Sequence, residues 1–148
     1  MSAVRHRWRA WVLSGLTMLV LLLSGCGGAL PPLGADQERH QQRVDGLTIT
    51  LDTLRDPQVN AAQPFGVALT DARGQPVDGA DVYLDLAMDM LCLSGAKPIA
   101  EPVGPGRYRA QSVYQMPGTW DVTVVVERDE RTDRATFVIP VADGKPWP

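Results

Sequence analysis

Residues 106–126 constrain the chain more than any other stretch. They read GRYRAQSVYQMPGTWDVTVVV. Tyr108, Ala110, Ser112, Tyr114 and Met116 fall at every second position, and the alternation resumes after Pro117-Gly118 with Trp120, Val122, Val124 and Val126. A period of two built from aromatic and β-branched residues marks half-buried strands, because successive side chains point to opposite faces. Pro-Gly between the two runs is a turn signal. The stretch predicts an antiparallel hairpin whose inward face carries Tyr108 and Trp120 as part of the core.

Five further strand signals accompany it. Residues 47–51 alternate after Gly46, and residues 65–70 follow Pro64. The turn-rich stretch 71–79 leads into residues 80–90, where Val82, Leu84, Leu86, Met88 and Met90 share a face that Cys92 continues. Residues 97–102 contain two prolines, which bar a strand from a sheet interior and predict an edge. Residues 134–141 place Ala135, Phe137 and Ile139 on one face or Thr136 and Val138 on the other. No helical period of useful length occurs after residue 46. Seven short strands with frequent turns predict an all-β fold, an immunoglobulin-like β-sandwich over residues 46–142 with a tail at 143–148. The Cys-Trp-Cys core of antibody domains is absent.

The chain opens with a targeting pattern. Arg5, Arg7 and Arg9 precede an apolar run over residues 11–23. That run is short for a membrane span, which needs about 20 residues, and normal for the core of a signal peptide. It ends in Leu23-Ser24-Gly25-Cys26, which resembles the bacterial lipobox. The resemblance implies that residues 1–25 are removed and that Cys26 receives acyl chains. The expected location is a cell membrane, or the periplasmic face of an outer membrane where two membranes exist. Two or three acyl chains anchor stably, whereas one does so only marginally.

Removing the leader takes away three arginines and moves the formal charge from −3 to −6. An acidic domain lacks the basic footprint that nucleic-acid binding needs, so no nucleic acid is expected as partner. The balance gives no reason to expect a second contact with anionic lipid either. With Cys26 lipidated, Cys92 has no partner for an intramolecular disulfide. Residues 26–45 contain Gly27-Gly28, Pro31-Pro32 and a polar run, and read as a flexible linker. As a coil such a tether spans roughly 25 Å, and stretched about 60 Å.

The series Gly106-x-Tyr108-x-Ala110 and Met116-x-Gly118-x-Trp120-x-Val122-x-Val124 resembles the YtkA-like domain, a FixH-related small β-sandwich. Gly74-x-Pro76-Val77-x-Gly79-Ala80-x-Val82 fits the same pattern. The resemblance covers about residues 47–141. It implies an exported protein linked to copper handling or to assembly of respiratory oxidases. Such domains carry a Met-Pro-x-Met segment after the third strand, often with a histidine nearby. Here Met88-Asp89-Met90-Leu91-Cys92 stands in that place, without the proline and without the histidine.

The residues make a case for soft-metal binding by themselves. Beyond the leader the methionines are Met88, Met90 and Met116, and Cys92 lies beside the first two. Alternate strand residues share a face roughly 7 Å apart. If the end of the third strand and the Met-Pro-Gly turn lie at the same end of the fold, Met88, Met90, Cys92 and Met116 converge. Thioethers and thiolates select Cu(I) over hard cations. The competing reading is plain core packing, since methionine and unpaired cysteine are common core fillers. His40, the sole histidine beyond the leader, reads as a solvated side chain in the linker.

Enzymatic chemistry is not expected. With His40 outside the expected domain, a Ser-His-Asp or Cys-His arrangement has no members within it, and no phosphate-binding glycine loop follows a strand. Asp71, Asp78 and Asp81 cluster at one turn, but their spacing matches no calcium loop and they read as solvated turn carboxylates. Two functional expectations stand side by side. One is a membrane-anchored lipoprotein that binds Cu(I) or helps assemble a copper-dependent respiratory complex. The other is a metal-free tethered module that holds a protein partner in the cell envelope.

Overall fold

A computed structural model describes residues 30–88 and 96–144. The leader, Cys26, Met90, Cys92 and most of the C-terminal tail lie outside the described residues. Eight strands follow one another: β1 (Gln37–Val44), β2 (Leu47–Leu54), β3 (Ala62–Thr70), β4 (Asp81–Met88), β5 (Ile99–Gly104), β6 (Arg107–Val113), β7 (Gly118–Arg128) and β8 (Arg131–Val141). They form one antiparallel sheet in the order β1-β2-β3-β6-β5-β4-β7-β8. Strands β2 to β8 are the seven that the sequence signals.

Alternation explains how the sheet curls around a core. Leu47, Ile49 and Leu51 of β2, Phe65, Val67 and Leu69 of β3, and Val82, Leu84 and Leu86 of β4 are buried. So are Tyr108 and Ala110 of β6, Trp120, Val122, Val124 and Val126 of β7, and Ala135, Phe137, Ile139 and Val141 of β8. The β8 register thus buries the Ala135 face and exposes Val138. Every inward row comes from a strand with period two, so the apolar faces meet inside, while Thr48 and Thr50 on the outer row of β2 and Val125 on that of β7 are buried as well.

The expected two-sheet sandwich gives way to a nearly closed, barrel-like sheet, and β5 makes the difference. Ile99 and Ala100 pair with Tyr83 and Val82 of β4, whereas Glu101, Pro102 and Gly104 pair with β6, with a register shift between Pro102 and Gly104. The strand changes partner midway and joins the two walls. It is therefore not the edge that its prolines suggested. Pro98 and Pro102 do keep its ladders short, since proline has no N–H to donate.

The expected hairpin at residues 106–126 is also corrected. β6 pairs with β3 and β5, and β7 pairs with β4 and β8, so Pro117-Gly118 leads across the core from one wall to the other. Both runs bury their even residues whichever way they pair, so the alternation itself did not distinguish the two arrangements.

The linker expectation fails for residues 37–44, which form β1 and pair with β2 along their whole length. Asp45 and Gly46 make the connecting turn, with φ of 45° and 87°. Two central residues with positive φ are the hairpin geometry whose twist matches the flanking strands, and Asp-Gly is a favoured pair for it. β1 then approaches β8 and nearly closes the barrel. The Gln42 side-chain amide donates to the Thr136 carbonyl at 2.8 Å, and the His40 and Phe137 rings lie 6.0 Å apart.

Candidate functional site

Of the four sulfur residues expected at the site, Met88 and Met116 are among the described residues. In the β4–β7 ladder Met88 stands opposite Trp120, so both side chains belong to the inward face. The indole Nε1 of Trp120 donates to the Met116 carbonyl at 3.0 Å, which ties the Met-Pro-Gly turn to the start of β7. Gly118 has a φ of 131°, and a Cβ built on it would lie 2.9 Å from the Met88 methyl carbon. The end of β4 and the turn that carries Met116 therefore meet at one end of the barrel. Met88 and Met116 are both partly buried there against the core. Met90 and Cys92 belong to the stretch after Met88 that lies outside the described residues.

Aromatic packing holds this end in place. Tyr114 and Trp120 have ring centroids 5.2 Å apart, and Phe65 meets Tyr114 edge-on at 6.2 Å. Such tilted and edge-to-face pairs add to the stabilisation that burial provides. The Tyr114 hydroxyl is buried with no hydrogen-bond partner among the described residues, and burial pushes its pKa well above the ordinary tyrosine value. Nothing in the sequence distinguishes this tyrosine from one whose hydroxyl is satisfied.

Tyr108 and Trp120 occupy the core, as their alternation predicts. Tyr108 works at the opposite end of its strand from Tyr114. Its hydroxyl donates to the Val77 carbonyl and accepts from the Ala80 N–H, each at 3.3 Å.

His40 departs from its expectation. It lies in β1, half-buried, with its Nε2 buried and without a hydrogen-bond partner among the described residues, beside Phe137 of β8. The signal that would have revealed this is Asp45-Gly46, which predicts a strand before it as well as after it. The turn aspartates satisfy their own backbone. Asp71 Oδ1 accepts from the N–H groups of Arg73 and Gln75, each at 2.8 Å. These bonds, with Gln75 foremost, hold the Asp71 carboxyl below the usual carboxylate range. Asp78 accepts from the Gly106 N–H. Among the described residues no three histidine, cysteine, aspartate or glutamate side chains gather as a metal centre.

Among the described residues, the donors at this end of the barrel are of the soft kind. Met88 and Met116 supply neutral thioethers beside an indole at one end of the barrel. Hard divalent cations need clustered carboxylate or carbonyl oxygens. The sequence model of a family described as YtkA-like matches residues 41–125, more than half of the chain. No curated protein and no solved structure matches it significantly.

Proposed function

Because the chain belongs to the YtkA-like family, we propose that it is an exported lipoprotein, anchored through Cys26, that binds Cu(I) at one end of its barrel. In this reading it holds copper for, or delivers it to, a copper-dependent respiratory complex in the same membrane. The observation that carries the reading is the meeting of Met88 and Met116 around Trp120. Met88 and Met116 would hold the ion, with Met90 and Cys92 as further soft donors from the segment that follows β4. The ion would be carried as cargo, and thioethers suit that task because they bind it without needing to lose a proton. Trp120 positions Met116 through its carbonyl and shields the thioethers from water on the core side.

The test is titration of the detergent-solubilised full chain with Cu(I) against a competing chelator under reducing conditions. A one-to-one complex that is lost in the Met88→Leu, Met116→Leu double variant, with the fold intact, is the expected result. No binding, or binding that survives those changes and vanishes only with Cys92→Ser, would sink the methionine site. The metal-free interaction module would then be the better reading. The exposed Ile99, Val103 and Val113 on neighbouring strands β5 and β6 would be its contact residues.

A further inference from the structure

The strand pairings sort the charged residues of the barrel wall onto two opposite outer faces. On the face formed by β1, β2, β3, β6 and β5, the outward rows carry Arg39, Arg43, Arg107 and Arg109 against Asp52 and Glu101. Arg39 is engaged by Asp52, while Arg43, Arg107 and Arg109 are exposed. On the face formed by β4, β7 and β8, the outward rows carry Asp81, Asp85, Asp121 and Glu127 against Arg134, and Lys97 pairs with Asp85 at 3.1 Å. The chain is acidic as a whole, with a formal charge of −3, yet one wall of it is basic.

The start of the described chain lies on that basic wall. Leu30 lines an open cleft of about 200 Å³ with Ala68, Thr70, Pro76, Pro105 and Arg107. Arg39 Nη2 donates to the Pro31 carbonyl at 3.1 Å. The Gly34 N–H donates to the Gln37 side chain, and the Gln37 N–H returns to the Gly34 carbonyl. The outward positions of β3 are Ala62, Pro64, Gly66 and Ala68, all without long side chains, so the wall is low where the segment approaches it. Cys26 precedes Leu30 by four residues, which reach at most about 14 Å when stretched.

From these observations we infer that the domain rests on an anionic lipid surface through the β3–β6 face, with Arg43, Arg107 and Arg109 against the headgroups. The inference rests on lipidation of Cys26. An anchor so close to Leu30 brings the wall beneath that residue nearest to the membrane. Arginines within about a Debye length of anionic lipid, roughly 10 Å, are attracted to it. The acidic wall of β4, β7 and β8 faces away, so the same field that draws one side in repels the other. Net charge alone conceals this orientation because it averages the two walls.

The test uses the lipidated full chain in vesicles of phosphatidylcholine and phosphatidylglycerol that carry a headgroup quencher. A fluorophore is placed on Gln111→Cys, exposed on the outer face of β6, or on Val138→Cys, exposed on the outer face of β8, each in a Cys92→Ser background. The expected result is several-fold stronger quenching at position 111 than at 138. It should weaken when Arg107→Glu and Arg109→Glu are introduced with the fold intact, and also in high salt. Equal quenching at the two positions, stronger quenching at 138, or a difference unchanged by charge reversal would overturn the face while leaving the anchor standing. A chain that fails to float with the vesicles would overturn the anchor and the face together.

Discussion

The indole Nε1 of Trp120 and the backbone carbonyl of Met116 are joined by a 3.0 Å hydrogen bond that spans the Pro117-Gly118 turn. The bond fixes where the turn stands relative to the barrel end. Trp120→Phe keeps an aromatic ring in the core but removes the donor and leaves a void. The expected cost is about 2 kcal/mol, from the lost bond and the lost packing together. Urea unfolding should show a lower midpoint with an unchanged slope. If the proposed site holds Cu(I), its affinity should fall as well, because Met116 loses its fixed position while both thioethers remain.

Tyr114→Phe should act in the opposite sense. The hydroxyl is buried and unpaired among the described residues, so its removal gives up no hydrogen bond to them and relieves a desolvation cost of about 1 kcal/mol. The variant is expected to be as stable as the parent or slightly more so. The alkaline limb tests the same point. The folded pKa is raised above the unfolded value of about 10. The unfolded chain therefore loses this proton first, and the contribution of Tyr114 to stability is intact below about pH 10 and declines as pH rises above it. Tyr114→Phe should flatten that decline, which chemical denaturation at a series of alkaline pH values would reveal.

Gly106 is the tightest joint in the fold. Its φ is 59°, and an added Cβ would come within 2.7 Å of the Leu69 carbonyl oxygen and 2.9 Å of the Val77 nitrogen. Both neighbours are backbone and are themselves hydrogen-bonded to each other, so they have little freedom to yield. Gly106→Ala should cost about 3 kcal/mol, from the left-handed conformation and the overpacking together. Thermal unfolding followed by circular dichroism would measure it, and a loss below about 1 kcal/mol would contradict the packing described.

The β7–β8 turn offers a stabilising change. Asp129 and Glu130 have φ of 49° and 62°, so two residues with side chains occupy the left-handed region. Asn-Gly is the pair that this turn geometry favours. Asp129→Asn with Glu130→Gly should raise stability by about 0.5–1 kcal/mol, because the relief of strain exceeds the added chain entropy of glycine. A rise in melting temperature is the expected readout.

Arg39 and Asp52 form a two-pronged ion pair at 2.7 and 2.8 Å, with both side chains about one-fifth exposed. The same guanidinium holds the Pro31 carbonyl. The Arg39 pKa is raised by the hydrogen bond and charge of Asp52, so the guanidinium stays protonated across the accessible range. Asp52→Ala should cost about 1 kcal/mol in global stability, since solvent partly screens the pair. It should also release residues 30–36 from the wall. Hydrogen exchange would then rise over those residues well beyond the rise in β2 and β3.

Most of the barrel was legible because its strands have one wet face and one dry face. β2, β3, β4, β6 and β7 carry that alternation with the inward face it names, β8 left its inward face open between Ala135 and Thr136, and β5 was signalled by its prolines alone. β1 was not legible from hydrophobicity, since its residues QERHQQRV include almost nothing that core packing would demand. Its place is dictated by the backbone of β2, which needs a partner, and by the Asp45-Gly46 turn. Pairing partners were less legible than strands. The two runs flanking Pro117-Gly118 look like a hairpin because inward periodicity does not record which backbone lies alongside. For the site, the approach of Met88 to the Met116 turn was only a condition in the sequence and depends on the β4–β7 pairing, and the setting of the Tyr114 hydroxyl and of His40 depends on packing between walls.

The midway change of partner in β5 sets the order in which the barrel can assemble and come apart. β7 and β8 join through a tight turn, as do β1 and β2, so each pair forms from local chain segments. The two walls meet in a ladder where Ala100 and Ile99 face Val82 and Tyr83, supported by bonds from the Leu84 and Leu86 amides to the Pro98 and Ala96 carbonyls. Leu86 and Ala96 are close in the chain, so this ladder closes only a short loop, whereas β3–β6 and β4–β7 join segments far apart in sequence and form later. The β4–β5 ladder has few bonds, and partial opening along it is expected to precede global unfolding. Leu84 and Leu86, though fully buried, should exchange their amide protons through partial opening at this seam, ahead of the neighbouring β7 amides that only global unfolding releases.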